Sequence, residues 1–208
     1  RELWLGLGSG SFDLDNQTSI FLATQTGYTG LNREDEEFTP RISVSYKATD
    51  DINLYATYAQ GFKAGGFDPR ARADLDPLGL SQEGFGPEKV DSYEIGLKGN
   101  FFDNRLQLNT AAFYAEYTDQ QITVQSGADS DNDGVNDAFV SSVFNAGSSE
   151  YKGLEIEGSW FISDEFTLMG NLGYIDAEIK EIISAGVNIA DQFVTQNTPE
   201  LQGQLSLN

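Results

Sequence analysis

The chain has 208 residues, of which only 39% are hydrophobic, and its acidic residues outnumber the basic ones 33 to 12, for a formal net charge of -21. That length allows one folded domain or at most two, and that charge speaks against nucleic acid or an anionic membrane surface as a partner, favouring cations or a polar ligand with basic groups. Cysteine and histidine are both absent, which removes disulfides, thiolate metal sites, the commonest general base and the commonest transition-metal ligand, so an enzyme is not expected.

No run of about eighteen apolar residues occurs, so no transmembrane helix is predicted. No charged-then-apolar leader precedes Arg1, as expected of a mature chain or of a piece of a longer one. Residues 1–37 carry a plausible strand and a variable loop. From residue 41 the pattern is period two. RISVSYK sets Ile42, Val44 and Tyr46 against Arg41, Ser43, Ser45 and Lys47. A polar break at residues 49–51 leads to a strand over 52–62 with Leu54, Ala56 and Tyr58 on its apolar face. This strand ends at Phe62 and releases the chain into a Gly- and Asp-rich stretch, residues 63–87. Residues 92–98 alternate again, Tyr93, Ile95 and Leu97 against Ser92, Glu94 and Lys98. After a break at 100–104 comes a softer strand with Leu106 and Leu108, followed by an irregular stretch over 119–149. Residues 153–162 oppose Leu154, Ile156, Trp160 and Ile162 to Glu155, Glu157 and Ser159. A break at 163–165, another irregular stretch at 180–198, and a final strand at 202–207 with Leu205 and Leu207 complete the chain.

The connections therefore alternate short and long. Structureless loops beyond about 12 to 15 residues are uncommon in compact domains, whereas a transmembrane barrel has short turns at one end and long loops at the other, and its strands need only about 9 to 11 residues. Tyr58, Phe62, Tyr93, Tyr114, Trp160 and Tyr174 all fall in the apolar register, several near strand ends, where a ring suits the membrane–water boundary. The predicted fold is all-β: an antiparallel transmembrane β-barrel segment of roughly seven to nine strands, with short periplasmic turns and long extracellular loops.

Three stretches carry a resemblance. The first ends a strand with Tyr55, Tyr58, Gly61, Phe62, Lys63 and Gly65. The second places Pro87, Glu88, Tyr93, Glu94, Gly96 and Lys98 in P-E-x-x-x-x-Y-E-x-G-x-K. The third is N-x-G-x-x-x-x-x-G-x-E-x-E, with Asn145, Gly147, Gly153, Glu155 and Glu157. In this order, across residues 38–208, they resemble the barrel domain of TonB-dependent outer-membrane receptors. The resemblance implies import of a scarce nutrient, such as a siderophore–iron chelate, across the bacterial outer membrane. The energy would come from a TonB system contacted through an N-terminal part. Such receptors are barrels of about 22 strands holding a plug. Residues 1–208 are thus expected to be a partial barrel domain, with the plug and the last strands absent. Its wall would face the lumen with Arg41, Lys47, Glu94, Lys98, Glu155 and Glu157, the two glutamates lying beside Lys98 or Arg41 as structural charges.

Other residues are read directly. Lys63, Arg70 and Arg72, with Tyr55, are candidate ligand contacts around the loop that follows the second clear strand. Asp129, Asp131, Asp133 and Gly134 spell D-x-D-x-D-G, and the carbonyl of Val135 and the carboxylate of Asp137 would continue an oxygen-rich calcium loop. Position twelve is Val140 in place of a bidentate glutamate, so a full EF-hand is excluded, and a solvated acidic loop stands beside the calcium reading. No cofactor is otherwise required. Three readings remain open: part of an import receptor, a small self-contained outer-membrane barrel acting as pore or adhesin, and a soluble secreted calcium-binding β domain. The first two share outer-membrane lipid as a partner, and none involves nucleic acid.

Overall fold

A computed structural model of the chain describes residues 2–13, 32–68, 70, 83–131, 133–184, 187–195 and 197–208. The strands, in chain order, are β1 (Glu2–Asp13), β2 (Glu34–Lys47), β3 (Ile52–Lys63), β4 (Glu88–Phe101), β5 (Leu106–Ala128), β6 (Ala138–Phe161), β7 (Thr167–Ser184), the short β8 (Val187–Asn188) and β9 (Leu201–Leu207). They form one antiparallel sheet, each strand paired with the next as far as β7, which then pairs with both β8 and β9. Local sequence accounts for this topology. Period-two strands joined by tight polar turns fold back on their neighbours, and turns of four or five residues leave no room for a crossover.

The register aligns the apolar residues into one continuous face. One cross-sheet row reads Val44, Ala56, Ile95, Ala112, Leu154, Tyr174 and Leu201; the next reads Tyr46, Leu54, Leu97, Thr110, Ile156 and Leu172. Rings bound the band. At one edge Tyr58, Tyr93 and Tyr114 sit in register with ring centroids 5.1 and 6.2 Å apart. At the other, Phe101, Leu106, Trp160, Leu168 and Leu207 line up. From Tyr93 to Phe101, and from Leu106 to Tyr114, is nine residues, within the roughly 9 to 11 that a tilted strand needs to cross hydrocarbon.

Among the described residues no second layer covers this face. Among the described residues only Val140, Ile182 and Ala190 are buried hydrophobics, while Ile95 is 62% exposed and Leu205 74%. A water-soluble β domain would bury such side chains against a second sheet or a helix. The soluble calcium-binding domain is therefore set aside, because its apolar faces were expected to pack on one another. Among the described residues β1 and β9 are not paired with each other, so the sheet is open.

The three short connections lie at one end of the sheet. The turn over residues 102–105 takes three successive left-handed residues, Phe102, Asp103 and Asn104 at φ 55°, 53° and 66°. Arg105 beside it donates from its guanidinium to the carbonyls of Phe161 and Ile162, tying this turn to the next.

Two of the expected loops are ordered strand instead. Residues 119–149, read as irregular, form a hairpin: β5 has 23 residues and β6 has 24, paired up to Ala128 and Ala138. At roughly 3.4 Å per residue, the hairpin is more than twice as long as a membrane crossing requires. The pattern was hidden because strand residues in this half are Gln, Thr and Ser as often as Val or Phe, without a clear alternation of apolar and polar. Register irregularities at Tyr117, Gln120 and Gln121 on β5 and at Ser148 and Ser149 on β6 mark the change, with Asp119 at φ 53°. Likewise β7 continues to Ser184, and part of the stretch expected to be loop at 180–198 is β8 and a single 3-10 turn, Ala190–Gln192.

Candidate functional site

The face opposite the apolar one is polar, and it carries all six wall residues singled out from sequence. Because side chains alternate along a strand, Arg41 and Lys47 on β2, Glu94 and Lys98 on β4, and Glu155 and Glu157 on β6 share one side of the sheet. One row joins Lys47, Asn53, Lys98, Asn109, Glu157 and Asn171, and the row above joins Ser45, Tyr55, Gly96, Ala111 and Glu155. Lys98 holds its ammonium 5.7 Å from the centre of the Tyr55 ring. A groove of about 410 Å³ runs along these rows, lined by Tyr55, Lys98, Asn109, Glu155, Glu157 and Asn171 among others. Lys98, and not Arg41, is thus the base that shares this groove with the two glutamates. Lys47 is turned to Asp50 in the exposed turn, 2.8 Å away.

Glycine makes the ring placement possible. A Cβ at position 96 would lie 2.5 Å from the Tyr55 ring, and one at 153 would lie 2.6 Å from the Phe113 ring. Each aromatic ring therefore lies flat across a neighbouring strand, leaving the polar face open.

Where the strands leave the barrel level on the long-loop side, the chain is stitched together. Arg33 and Asp35 form a two-pronged ion pair, at 2.7 and 2.8 Å, and Asp35, only 6% exposed, also accepts the Gly65 amide at 2.9 Å. Gly66 and Phe85 pair as an isolated bridge, closing the connection between β3 and β4 at its base. Gln121 donates its side-chain amide to the carbonyls of Ala64 (2.8 Å) and Gly86 (3.1 Å), and its backbone N–H to Glu88 (2.9 Å). Asn145 accepts the Gly86 N–H and donates to the carbonyls of Gly86 (2.9 Å) and Asp119 (2.7 Å).

Beside this stitching is a groove of about 560 Å³, whose lining includes Lys63, Glu88, Gln121, Tyr151, Ile179 and Phe193. Tyr151 meets Tyr117 edge-on, with centroids 5.4 Å apart. Of the expected ligand contacts, Lys63 ends β3 at this groove. Arg70 is held on Asp68, which is 4% exposed, by two guanidinium bonds of 2.9 and 3.0 Å and by its own backbone N–H. Arg72 lies outside the described residues.

The acidic tip sits at the far end of the long hairpin. Carboxylate oxygens of Asp129, Asp131 and Asp133 come within 4.8 Å of one another. Asp129 accepts the Gly134 N–H at 2.7 Å, with Gly134 at φ 91°, and Asp133 accepts that of Val135 at 2.8 Å. Asp137 stands apart from this trio, its carboxylate bonded to the backbone N–H and hydroxyl of Ser130, which hold its pKa below the usual carboxylate value.

Sequence reading passed over Arg33, Asp35, Asp68 and Gln121. Asp35 sits in the acidic run EDEE, which looks like a solvated face, and its burial depends on a glycine thirty residues away. No local pattern announces such a contact.

A family model described as "TonB dependent receptor-like, beta-barrel" matches residues 4–208. The metal-pseudopaline receptor CntO of Pseudomonas aeruginosa is 29% identical over 209 residues, covering 99% of this chain and 26% of that protein. The probable TonB-dependent siderophore receptor PiuA of Acinetobacter baumannii is 24% identical over 177 residues, 84% of this chain and 21% of that one. The chain thus spans about a quarter of the length of these relatives. Its fold matches the crystal structure of the Acinetobacter baumannii siderophore receptor PiuA (TM-score 0.64, 20% identity, 99% of this chain and 28% of that one). It also matches the ferric yersiniabactin uptake receptor FyuA of Yersinia pestis (TM-score 0.62, 23% identity, 85% and 23%).

Proposed function

The chain belongs to the TonB-dependent receptor-like β-barrel family, whose members sit in the bacterial outer membrane, and from that premise we propose that residues 1–208 are part of the wall and outer rim of an import receptor. The apolar face meets lipid, the polar face with Arg41, Lys47, Glu94, Lys98, Glu155 and Glu157 lines the lumen, and the long hairpin stands outside the cell. The cargo is a small, scarce nutrient of the siderophore–metal class. It is carried inward with energy delivered by a TonB system through parts of the receptor beyond these residues. The role is transport, with no catalytic residue.

The observation that supports this reading best is the single antiparallel sheet with one apolar face left uncovered among the described residues, nine residues from ring to ring, backed by a predominantly polar one. A small closed barrel acting as pore or adhesin would share those faces, but the family match over residues 4–208 favours the receptor, and among the described residues β1 and β9 do not pair to close a barrel. At the mouth, Lys63, Glu88 and Tyr151 offer a cation, an anion and a ring to one ligand.

The test is uptake of radioactive iron presented as hydroxamate, catecholate and mixed-ligand chelates by receptor-deficient Gram-negative cells carrying the full-length receptor. Uptake of at least one chelate, abolished when TonB is deleted, is expected. Accumulation that persists without TonB would contradict active import.

A second, separate reading concerns the tip. The converging oxygens of Asp129, Asp131 and Asp133 and the Val135 carbonyl would suit a hard cation such as calcium, with Asp137 available if it leaves Ser130. Calorimetric titration of calcium chloride into the detergent-solubilised receptor is expected to show one site that Asp131→Asn weakens. An absence of heat up to millimolar calcium leaves a solvated acidic loop.

A further inference from the structure

We infer that Asn145 and Gln121 are positioning residues for the rim: a two-side-chain tie that fixes both feet of the β3–β4 connection to the β5–β6 hairpin and so sets where Lys63 and Glu88 stand at the mouth groove. This rests on the import reading only in treating that groove as the ligand's.

The two feet are residues 63–66 and 85–88, which come from opposite ends of a connection of more than twenty residues. Beyond the last ladder pair, Lys63 with Glu88, their mutual pairing is slight: Gly66 and Phe85 exchange two backbone bonds, at 2.9 and 2.8 Å. An isolated bridge of this size is marginal in water. What reinforces it comes from across the sheet. Gln121 reaches one foot at the Ala64 carbonyl and the other at the Gly86 carbonyl with the same amide nitrogen. Asn145 holds Gly86 from both sides, accepting its N–H and donating to its C=O, and spends its other N–H on the Asp119 carbonyl. Asp119 is the left-handed residue at the β5 irregularity. That irregularity matters for placement. The shifted register between Tyr117 and Gln121 brings Gln121 beside the feet. Backbone carbonyls without strand partners here would otherwise need water, so a primary amide, which both donates and accepts, is the side chain the site requires.

The consequence for the groove is direct. The Lys63 carbonyl lies 3.4 Å from the Gln121 amide, and Glu88 accepts the Gln121 backbone N–H. Both therefore face Tyr151 and Phe193 at fixed positions. Without the tie the feet are held by the end of the β3–β4 ladder at Lys63 and Glu88, by the Gly66–Phe85 bridge and by Asp35 at Gly65.

Hydrogen exchange of backbone amides in the detergent-solubilised full-length receptor tests this without any ligand. Asn145→Ala is expected to speed exchange at Gly86 roughly tenfold or more, the loss of a hydrogen bond that leaves the half-buried Gly86 N–H without its acceptor. Exchange across residues 93–97 and 110–114 stays unchanged, as does the heat-induced mobility shift of the folded barrel. Asn145→Asp keeps the acceptor for the Gly86 N–H and is expected to restore protection at Gly86. Gln121→Glu, which retains the Glu88 contact through its backbone but loses both donations, loosens residues 64–66 and 85–86 together. Unchanged exchange at both feet in Asn145→Ala and Gln121→Glu overturns the tie. Faster exchange throughout the sheet also overturns it, showing residues that stabilise the barrel at large. Chelate uptake that fails in the unmodified receptor would instead strike the import reading and leave the tie standing.

Discussion

Ile156→Arg is expected to destabilise the folded sheet by about 2–4 kcal/mol, while Glu155→Arg, one residue away, changes stability by roughly 0.5 kcal/mol or less. The contrast isolates the environment of each face. Ile156 is 43% exposed, and in water an arginine at such a site would be nearly neutral. It lies in the middle row of the apolar band, between Thr110 and Leu172, with the tyrosine row and the Phe101–Trp160 row on either side. If lipid covers this face, a guanidinium there must be dehydrated or drag water into the hydrocarbon, and the cost is greatest near the midplane. Glu155 points to the polar side, where an added cation joins Lys98 in a hydrated groove and alters charge more than folding. Reversible urea unfolding of the full-length receptor in lipid vesicles measures both. Near-equal effects for the two variants would sink the assignment of faces, and with it the membrane-wall reading.

Wherever the two faces of a strand differ in polarity, the sequence was legible. Ile42, Val44 and Tyr46, or Leu154, Ile156 and Trp160, alternate with polar residues because one side of each strand belongs to the apolar face of the sheet and the other to its polar face, and strand type and turn positions followed from that. Beyond the membrane the constraint lapses. Gln121, Thr123, Gln125 and Ser142 are as much in strand as Ile95 is, but here apolar and polar residues do not alternate, and the long hairpin read as loop. The rim was legible as motif and opaque as mechanism. Gly65, Glu88 and Asn145 stood out by spacing, whereas their partners Asp35 and Gln121 did not, since a buried carboxylate and an exposed one are the same letter. The contact between Asp35 and Gly65 depends on two connections meeting, which no single strand encodes.

That contact carries the other large expected effect. Asp35→Ala is expected to lower the free energy of local opening at the Gly65 foot by about 2–3 kcal/mol, and Asp35→Asn by about 1 kcal/mol less. Removing one partner of a fully buried ion pair costs roughly 3–5 kcal/mol, because the other charge is stranded. Asp35 meets that description at 6% exposure, but the Arg33 side chain retains 23%, so water reaches the guanidinium once its partner is gone and the cost falls below that range. The alanine variant also removes the acceptor of the Gly65 N–H, held by Asp35 at 2.9 Å, adding a desolvated donor to the loss. Asparagine keeps a carbonyl for that amide and forfeits the charge, hence the smaller effect. Position 65 is packed tightly: an added Cβ there would collide with the Phe85 carbonyl and the Arg33 guanidinium. Exchange of the Gly65 amide under native conditions reads the opening free energy directly. A change below about 0.5 kcal/mol in Asp35→Ala would mean that the pair is worth no more than an exposed surface bridge, and that the Gly66–Phe85 bridge and the Gln121 and Asn145 amides hold the rim without it.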